Sequence, residues 1–104
     1  MLHITDSNFE NIIASNTVTV IDFSATWCGP CRKVTPIVEE LAETYSGQVA
    51  IGKVDVDESP NITEMFSIRN VPTILFFKNG ELQADKVVGA IDHLSLDAKI
   101  KALL

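Results

Sequence analysis

Cys28 and Cys31 are the only two cysteines of the chain, and two residues separate them. They follow the apolar run 18–23, which predicts a buried strand, and they precede an apolar pattern of period 3.6 that predicts a long helix. A thiolate at Cys28 would meet the free N–H groups and the positive dipole end of that helix, and the thiolate is the reactive form of a thiol. Cys31, one turn further on, is close enough to form a disulfide with Cys28. This spacing predicts thiol–disulfide redox chemistry.

Two charged residues lie within apolar stretches of the sequence. Asp22 belongs to the run before the cysteines, where a carboxylate is costly unless it has a partner or a task. Burial would raise its pKa and suit it to proton transfer near neutral pH, whereas the alternative is a solvated aspartate at a strand end. Lys53 lies in the stretch 49–56 and could modulate Asp22, or it could extend its ammonium group into water.

The length and the charge balance limit the class of protein. The 104 residues suffice for one core, and we place a single domain over 1–104. The 14 acidic and 8 basic residues give a net charge of −6, which disfavours binding to nucleic acid or to an anionic membrane. No apolar run approaches the ~20 residues that span a bilayer. The first residues show no secretory signal, although a trimmed chain would look the same.

The order of apolar patterns predicts an α/β fold. Helical spacing runs over 30–45, with a kink expected at Pro36. Residues 7–10 fit a capping box, Asp92 can cap the last helix, and Asn79-Gly80 predicts a hairpin. The order β-α-β-α-β-α-β-β-α predicts a mixed sheet, parallel early and antiparallel in the final hairpin, with helices on its faces. The predicted strands are 2–4, 18–23, 49–56, 73–77 and 86–89.

The stretch from Asp22 to Cys31, Asp-Phe-Ser-Ala-Thr-Trp-Cys-Gly-Pro-Cys, resembles the active-site motif of the thioredoxin family. This resemblance implies a thioredoxin fold, in which a five-stranded mixed sheet is flanked by four helices, and a cis peptide bond between Val71 and Pro72. Ser24 and Asn70 depart from the commonest bacterial pattern, which has tryptophan and glycine there. Further family landmarks follow in order over essentially the whole chain: Pro36, Lys53, Asp55-Val56-Asp57, Val71-Pro72-Thr73, Phe77-Lys78-Asn79-Gly80 and Val88-Gly89-Ala90.

The resemblance implies an enzyme that reduces protein disulfides. The Cys28 thiolate would attack the substrate disulfide, and Cys31 would then resolve the mixed disulfide. Asp22 would be the acid/base that deprotonates Cys31, through water, with Lys53 modulating it. For Val88, membership of the ordinary core is the alternative to a binding role. The implied docking surface for substrate consists of Trp27, Gly29, Pro30, Val71, Pro72, Val88, Gly89 and Ala90.

Partners and location also follow from the resemblance. It implies disulfide-containing protein substrates and a thioredoxin reductase that returns the chain to its reduced form. We expect a cytoplasmic monomer that needs neither a cofactor nor a metal and binds neither nucleic acid nor membrane.

Other readings of the cysteine pair are an inert buried pair, an oxidase or isomerase, a metal site, and a binding subunit with incidental redox chemistry. Oxidising relatives usually carry histidine before the second cysteine, where this chain has Pro30. A structural zinc site needs four ligands, and one Cys-x-x-Cys supplies two. A binding subunit stays open as an added role.

Overall fold

The computed structural model describes all residues, 1–104, as a five-stranded sheet with four helices. The strands are β1 (Leu2–His3), β2 (Val18–Ser24), β3 (Ala50–Asp55), β4 (Thr73–Lys78) and β5 (Glu81–Val88). The helices are α1 (Phe9–Ser15), α2 (Cys31–Thr44), α3 (Pro60–Met65) and α4 (His93–Lys101). This architecture confirms the predicted mixed sheet and its four helices. None of the helices has the length and apolar character required to cross a membrane.

The sheet has the strand order β1-β3-β2-β4-β5. β3 is parallel to β1 and β2, whereas β4 is antiparallel to β2 and β5. The central strand β2 is buried at every residue, as an apolar run covered on both faces requires. The β4–β5 hairpin turns at Asn79 and Gly80, whose positive φ angles of 54° and 80° suit a two-residue turn.

Side chains of β2 alternate between two hydrophobic cores. Val18 and Val20 face a core shared with α2 and α4. Ile21 and Phe23 face the opposite core, to which α1 and α3 contribute. Because successive strand residues point to opposite faces, Asp22 lies on the α2 side of the sheet, with the first core.

The helix α2 holds the second cysteine against the sheet. Its buried residues Cys31, Val34, Val38 and Leu41 recur at spacings of three and four and form one face. Burying each aliphatic side chain contributes roughly 1.5–3 kcal/mol, so this face fixes the start of α2 next to the end of β2. Pro36 lies within the helix, and the kink expected there stays a prediction.

Two local expectations are wrong and one is confirmed. β5 begins at Glu81, five residues before the predicted start, because this exposed edge strand is defined by its backbone pairing with β4 and not by apolar side chains. No capping box forms at Ser7. Asn8 is the N-cap residue of α1 without a side-chain cap, since its Oδ1 accepts the Thr5 N–H at 2.8 Å. Asp92 does cap α4, accepting a backbone N–H of its first turn at 2.8 Å.

Candidate active site

A disulfide joins Cys28 to Cys31 where β2 leads into α2. The two Cα atoms are 5.4 Å apart, and both side chains are almost fully buried. The backbone N–H of Cys31 donates to the Cys28 sulfur, with 3.2 Å between nitrogen and sulfur. After reduction, this N–H and the helix dipole would stabilise a thiolate at Cys28.

The loop before β4 contacts the disulfide. The carbonyl oxygen of Val71 lies 3.6 Å from the Cys28 sulfur, and the Val71–Pro72 peptide bond is cis, as the resemblance implied. The N–H of Val71 donates to no backbone acceptor of the chain. Gly89 donates its own N–H to the Pro72 carbonyl at 2.8 Å, which ties the end of β5 to this loop. An extended polypeptide could therefore pair with the Val71 backbone directly beside the sulfur.

Two of the predicted docking residues carry exposed apolar side chains. Trp27 is 67% exposed and Val88 is 54% exposed, so the alternative reading of Val88 as a core residue is wrong. Gly29, Pro30 and Ala90 are exposed as well, whereas Val71 and Gly89 are half-buried and Pro72 is buried. Trp27, Gly29 and Pro30 thus lie next to Cys28 in sequence, Val71 contacts its sulfur, and the segment 88–90 is tied to Pro72 through the Gly89 N–H. Their binding role stays a prediction.

Asp22 is fully buried, and neither of its carboxylate oxygens has a hydrogen-bond partner. The alternative of a solvated aspartate is therefore wrong. Burial raises the pKa of the Asp22 carboxyl to about 6, and the positive charge of Lys53 opposes that rise. Lys53 is the register partner of Asp22 on β3, and no ion pair joins the two side chains. Asp22 can accept a proton above pH 6 and release one below it.

A polar cleft of about 350 Å³ opens beside Cys31. Ser24, Thr35 and Lys53 are among the residues that line it. Ser24 follows Asp22 by two residues on the same face of β2, so the cleft lies over the strands that carry both charged residues. A cleft with several polar groups can hold water.

Comparison with known proteins decides the family. The sequence model described as thioredoxin matches residues 1–102. The chain belongs to the thioredoxin family. The thioredoxin of Staphylococcus saprophyticus is 48% identical over 86% of this chain and 84% of its own length. Thioredoxin 1 of Nostoc sp. is 39% identical over 94% of this chain and 92% of its own length. A third, the chloroplastic M-type thioredoxin of Pisum sativum, is 44% identical over 94% of this chain. The chain spans 57% of that relative and 56% of the M-type thioredoxin of Spinacia oleracea, just over half of each.

One contact in this thioredoxin site was not found from the sequence. The indole N–H of Trp27 donates to the Asp57 carboxylate at 2.8 Å. Asp55 Oδ1 in turn accepts the N–H groups of Asp57 and Glu58 at 2.9 and 3.3 Å, which shapes the loop after β3. Asp57 belongs to a family landmark of the sequence, but no local pattern indicates its bond to Trp27, because the contact joins loops 30 residues apart.

The thioredoxin site offers no arrangement suited to a metal ion. No group of three or more histidine, cysteine, aspartate and glutamate side chains in the molecule is placed to hold one. Two thiolates alone fall short of a structural zinc site.

Proposed function

We propose that this chain is a protein-disulfide reductase that carries electrons on the Cys28–Cys31 pair. The observation that carries the proposal is the disulfide at the start of α2, with a backbone N–H directed at the Cys28 sulfur. Membership of a family whose relatives are named thioredoxin supports the same activity. Pro30, directly before Cys31, favours a reductant over an oxidase or isomerase.

The proposed cycle has two exchange steps. The Cys28 thiolate attacks one sulfur of the substrate disulfide, forming a mixed disulfide and releasing the other sulfur as a thiolate. Cys31 then attacks the Cys28 sulfur, so the second substrate thiolate leaves and the Cys28–Cys31 bridge closes. Two electrons pass from the dithiol to the substrate, and an external reductase must restore the dithiol.

Asp22 is the proposed proton acceptor for the second step. Its pKa of about 6 keeps it ionised at neutral pH, where it can take the Cys31 proton through water in the adjacent cleft. Lys53 lies opposite Asp22 on the neighbouring strand β3, and its positive charge favours the ionised form of Asp22.

The proposed docking surface explains how a polypeptide reaches the buried sulfur. Trp27 and Val88 provide exposed apolar contact area, and the unpaired N–H of Val71 offers a hydrogen bond to an extended chain. The remaining members are exposed Gly29, Pro30 and Ala90, half-buried Gly89, and buried Pro72, whose carbonyl accepts the Gly89 N–H.

The proposed setting is a single thioredoxin domain, a monomer acting in the cytoplasm without a cofactor. Its proposed partners are disulfide-containing proteins and a thioredoxin reductase. Two of the similar relatives are chloroplastic by name, so the compartment should be established by fractionating the source cells and locating the protein with a specific antibody.

Insulin reduction tests the proposed activity. With dithiothreitol as electron donor, the chain should accelerate precipitation of the insulin B chain well above the rate with dithiothreitol alone. Cys28→Ala should remove that acceleration, whereas Lys101→Gln on α4 should keep it, because Lys101 is exposed and its chain segment is remote in sequence from the cysteines. No acceleration by the unaltered chain would contradict the proposal.

A further inference from the structure

A small hollow lies between the loop after α3 and the edge strand β5. Its volume is about 130 Å³. Phe66, Ile68 and Leu75 supply apolar surface, and the exposed cations Arg69 and Lys86 also line it. The hollow therefore combines an apolar interior with two positive charges.

Neither of these cations has a partner in the molecule. The four contacts between basic and acidic side chains, two made by lysine and two by histidine, involve other residues, and no acidic side chain lines the hollow. The protein as a whole carries a net charge of −6, whereas this hollow is lined by two positive charges and no negative one. Such a hollow suits an anionic group brought by another molecule.

The hollow lies close to the reactive sulfur. Arg69 precedes Val71 by two residues, which keeps their Cα atoms within about 8 Å, and the Val71 carbonyl contacts the Cys28 sulfur. Val88 lines both the hollow and the proposed docking surface. Since an extended chain advances ~3.3 Å per residue, a substrate residue two or three positions from its reactive cysteine would reach the hollow.

We propose that the Arg69–Lys86 hollow is a specificity subsite for a glutamate located two or three residues from the reactive cysteine of a substrate polypeptide. The methylene groups of the glutamate would cover the apolar interior, and its carboxylate would pair with both cations. This subsite rests on the proposed disulfide-reductase function and defines a class of substrate for it.

Three model peptides test the subsite. Each peptide contains one cysteine and is used as a disulfide-linked homodimer. The four positions that lie two and three residues before and after the cysteine are all glutamate in one peptide, all glutamine in the second and all lysine in the third. One turnover converts a peptide disulfide to two thiols and the Cys28–Cys31 dithiol to its disulfide. At low salt, the reduced chain should react with the glutamate peptide about three- to tenfold faster than with the glutamine peptide, and slowest with the lysine peptide. The preference should shrink in about 0.5 M salt, where the Debye length is a few ångströms.

A double variant assigns the preference to the two cations. Arg69→Gln with Lys86→Gln should bring the glutamate-to-glutamine rate ratio close to one. Lys78→Gln with Lys101→Gln changes the net charge equally, at the far end of β4 and on α4, and should keep the ratio. Equal rates with the unaltered chain, or the same loss in both double variants, would overturn the subsite alone. A chain that reduces none of the peptides would overturn the proposed function and the subsite with it.

Discussion

Cys28 and Cys31 have different surroundings, and this difference orders their proposed reactions. The Cys28 sulfur accepts the N–H of Cys31 and lies against the Val71 carbonyl, and the preceding residue Trp27 is exposed. Cys31 begins α2 and lines the polar cleft. On these grounds we propose that Cys28 attacks the substrate disulfide and that Cys31 loses its proton and resolves the intermediate.

Replacing one sulfur at a time tests this order. Cys31→Ser should accumulate mixed disulfides with cellular proteins, because the attack by Cys28 still occurs and its resolution does not. Cys28→Ser should capture almost none, since the attacking thiolate is absent. Partners purified from a cell extract under non-reducing conditions are counted by mass spectrometry. Equal capture by the two variants would contradict the assigned order.

Asp22 has a stability cost that follows from its burial. Its folded pKa is about 6, above the unfolded value of 3.8, so the unfolded state ionises more readily. The cost is absent below the unfolded pKa, grows as the pH rises from about 4 to 6, and is fully present above the folded pKa. At pH 8 it corresponds to about 3 kcal/mol.

Asp22→Asn should therefore raise stability and lower activity together. We expect a gain of about 1–2 kcal/mol at pH 8, less than the full cost because the buried amide also lacks partners, and no gain near pH 4. Turnover of insulin reduction should fall, since the proposed proton acceptor is gone. Urea unfolding at pH 4 and 8, with turnover measured on the same samples, checks both effects.

Glu43→Gln, on the exposed side of α2, is the matched control for the loss of one negative charge. It should change stability by no more than about 0.5 kcal/mol at either pH and leave turnover as it was. An Asp22→Asn variant that is less stable at pH 8, or as active as the unaltered chain, would contradict the role given to the buried carboxylate.

At the scale of single elements, α3 depends on a residue distant in sequence. Its N-cap Ser59 provides no side-chain cap, and instead Asp6 accepts the N–H groups of Asn61 and Ile62 at 3.2 and 2.9 Å. This carboxylate satisfies donors that would otherwise be free at the helix start. α3 in turn leads into the loop that carries Val71 and Pro72 of the proposed docking surface.

Truncating this cap should loosen α3. Asp6→Ala should lower the free energy of unfolding by about 1 kcal/mol, since two backbone donors lose their acceptor. Asp6→Asn retains one acceptor oxygen and should lose less than the alanine variant. Urea unfolding followed by circular dichroism measures both. An alanine variant as stable as the unaltered chain would show that water replaces the carboxylate without cost.

Elements with a strong apolar pattern were predictable from the sequence, and contacts between distant segments were not. The apolar run of β2 and the helical spacing of α2 located the cysteine pair between a strand and a helix. The same apolar run indicated that Asp22 is buried. The early start of β5 was missed because its exposed polar residues carry no alternation. The cap from Asp6 and the bond between Trp27 and Asp57 join segments 55 and 30 residues apart, which no local pattern encodes.

At the scale of the whole molecule, the sheet topology assembles the site from separate segments. β2 ends, α2 begins and β4 begins at the same edge, because β4 is antiparallel to β2 with Phe23 opposite Thr73. The cis peptide before β4 thereby meets the disulfide after β2, and β5 returns alongside with Val88 opposite Thr73. The site is therefore a product of the entire fold and belongs to no single motif.

The reduction potential of the Cys28–Cys31 couple decides whether this molecule acts as a dithiol reductant. The chain is equilibrated in redox buffers of graded potential, and its free thiols are counted after alkylation. The reductant role predicts a potential at or below the cytosolic glutathione poise of about −220 to −260 mV, in keeping with the general value for thioredoxin of about −270 mV. A potential of about −180 to −120 mV, where disulfide isomerases and oxidases lie, would contradict it.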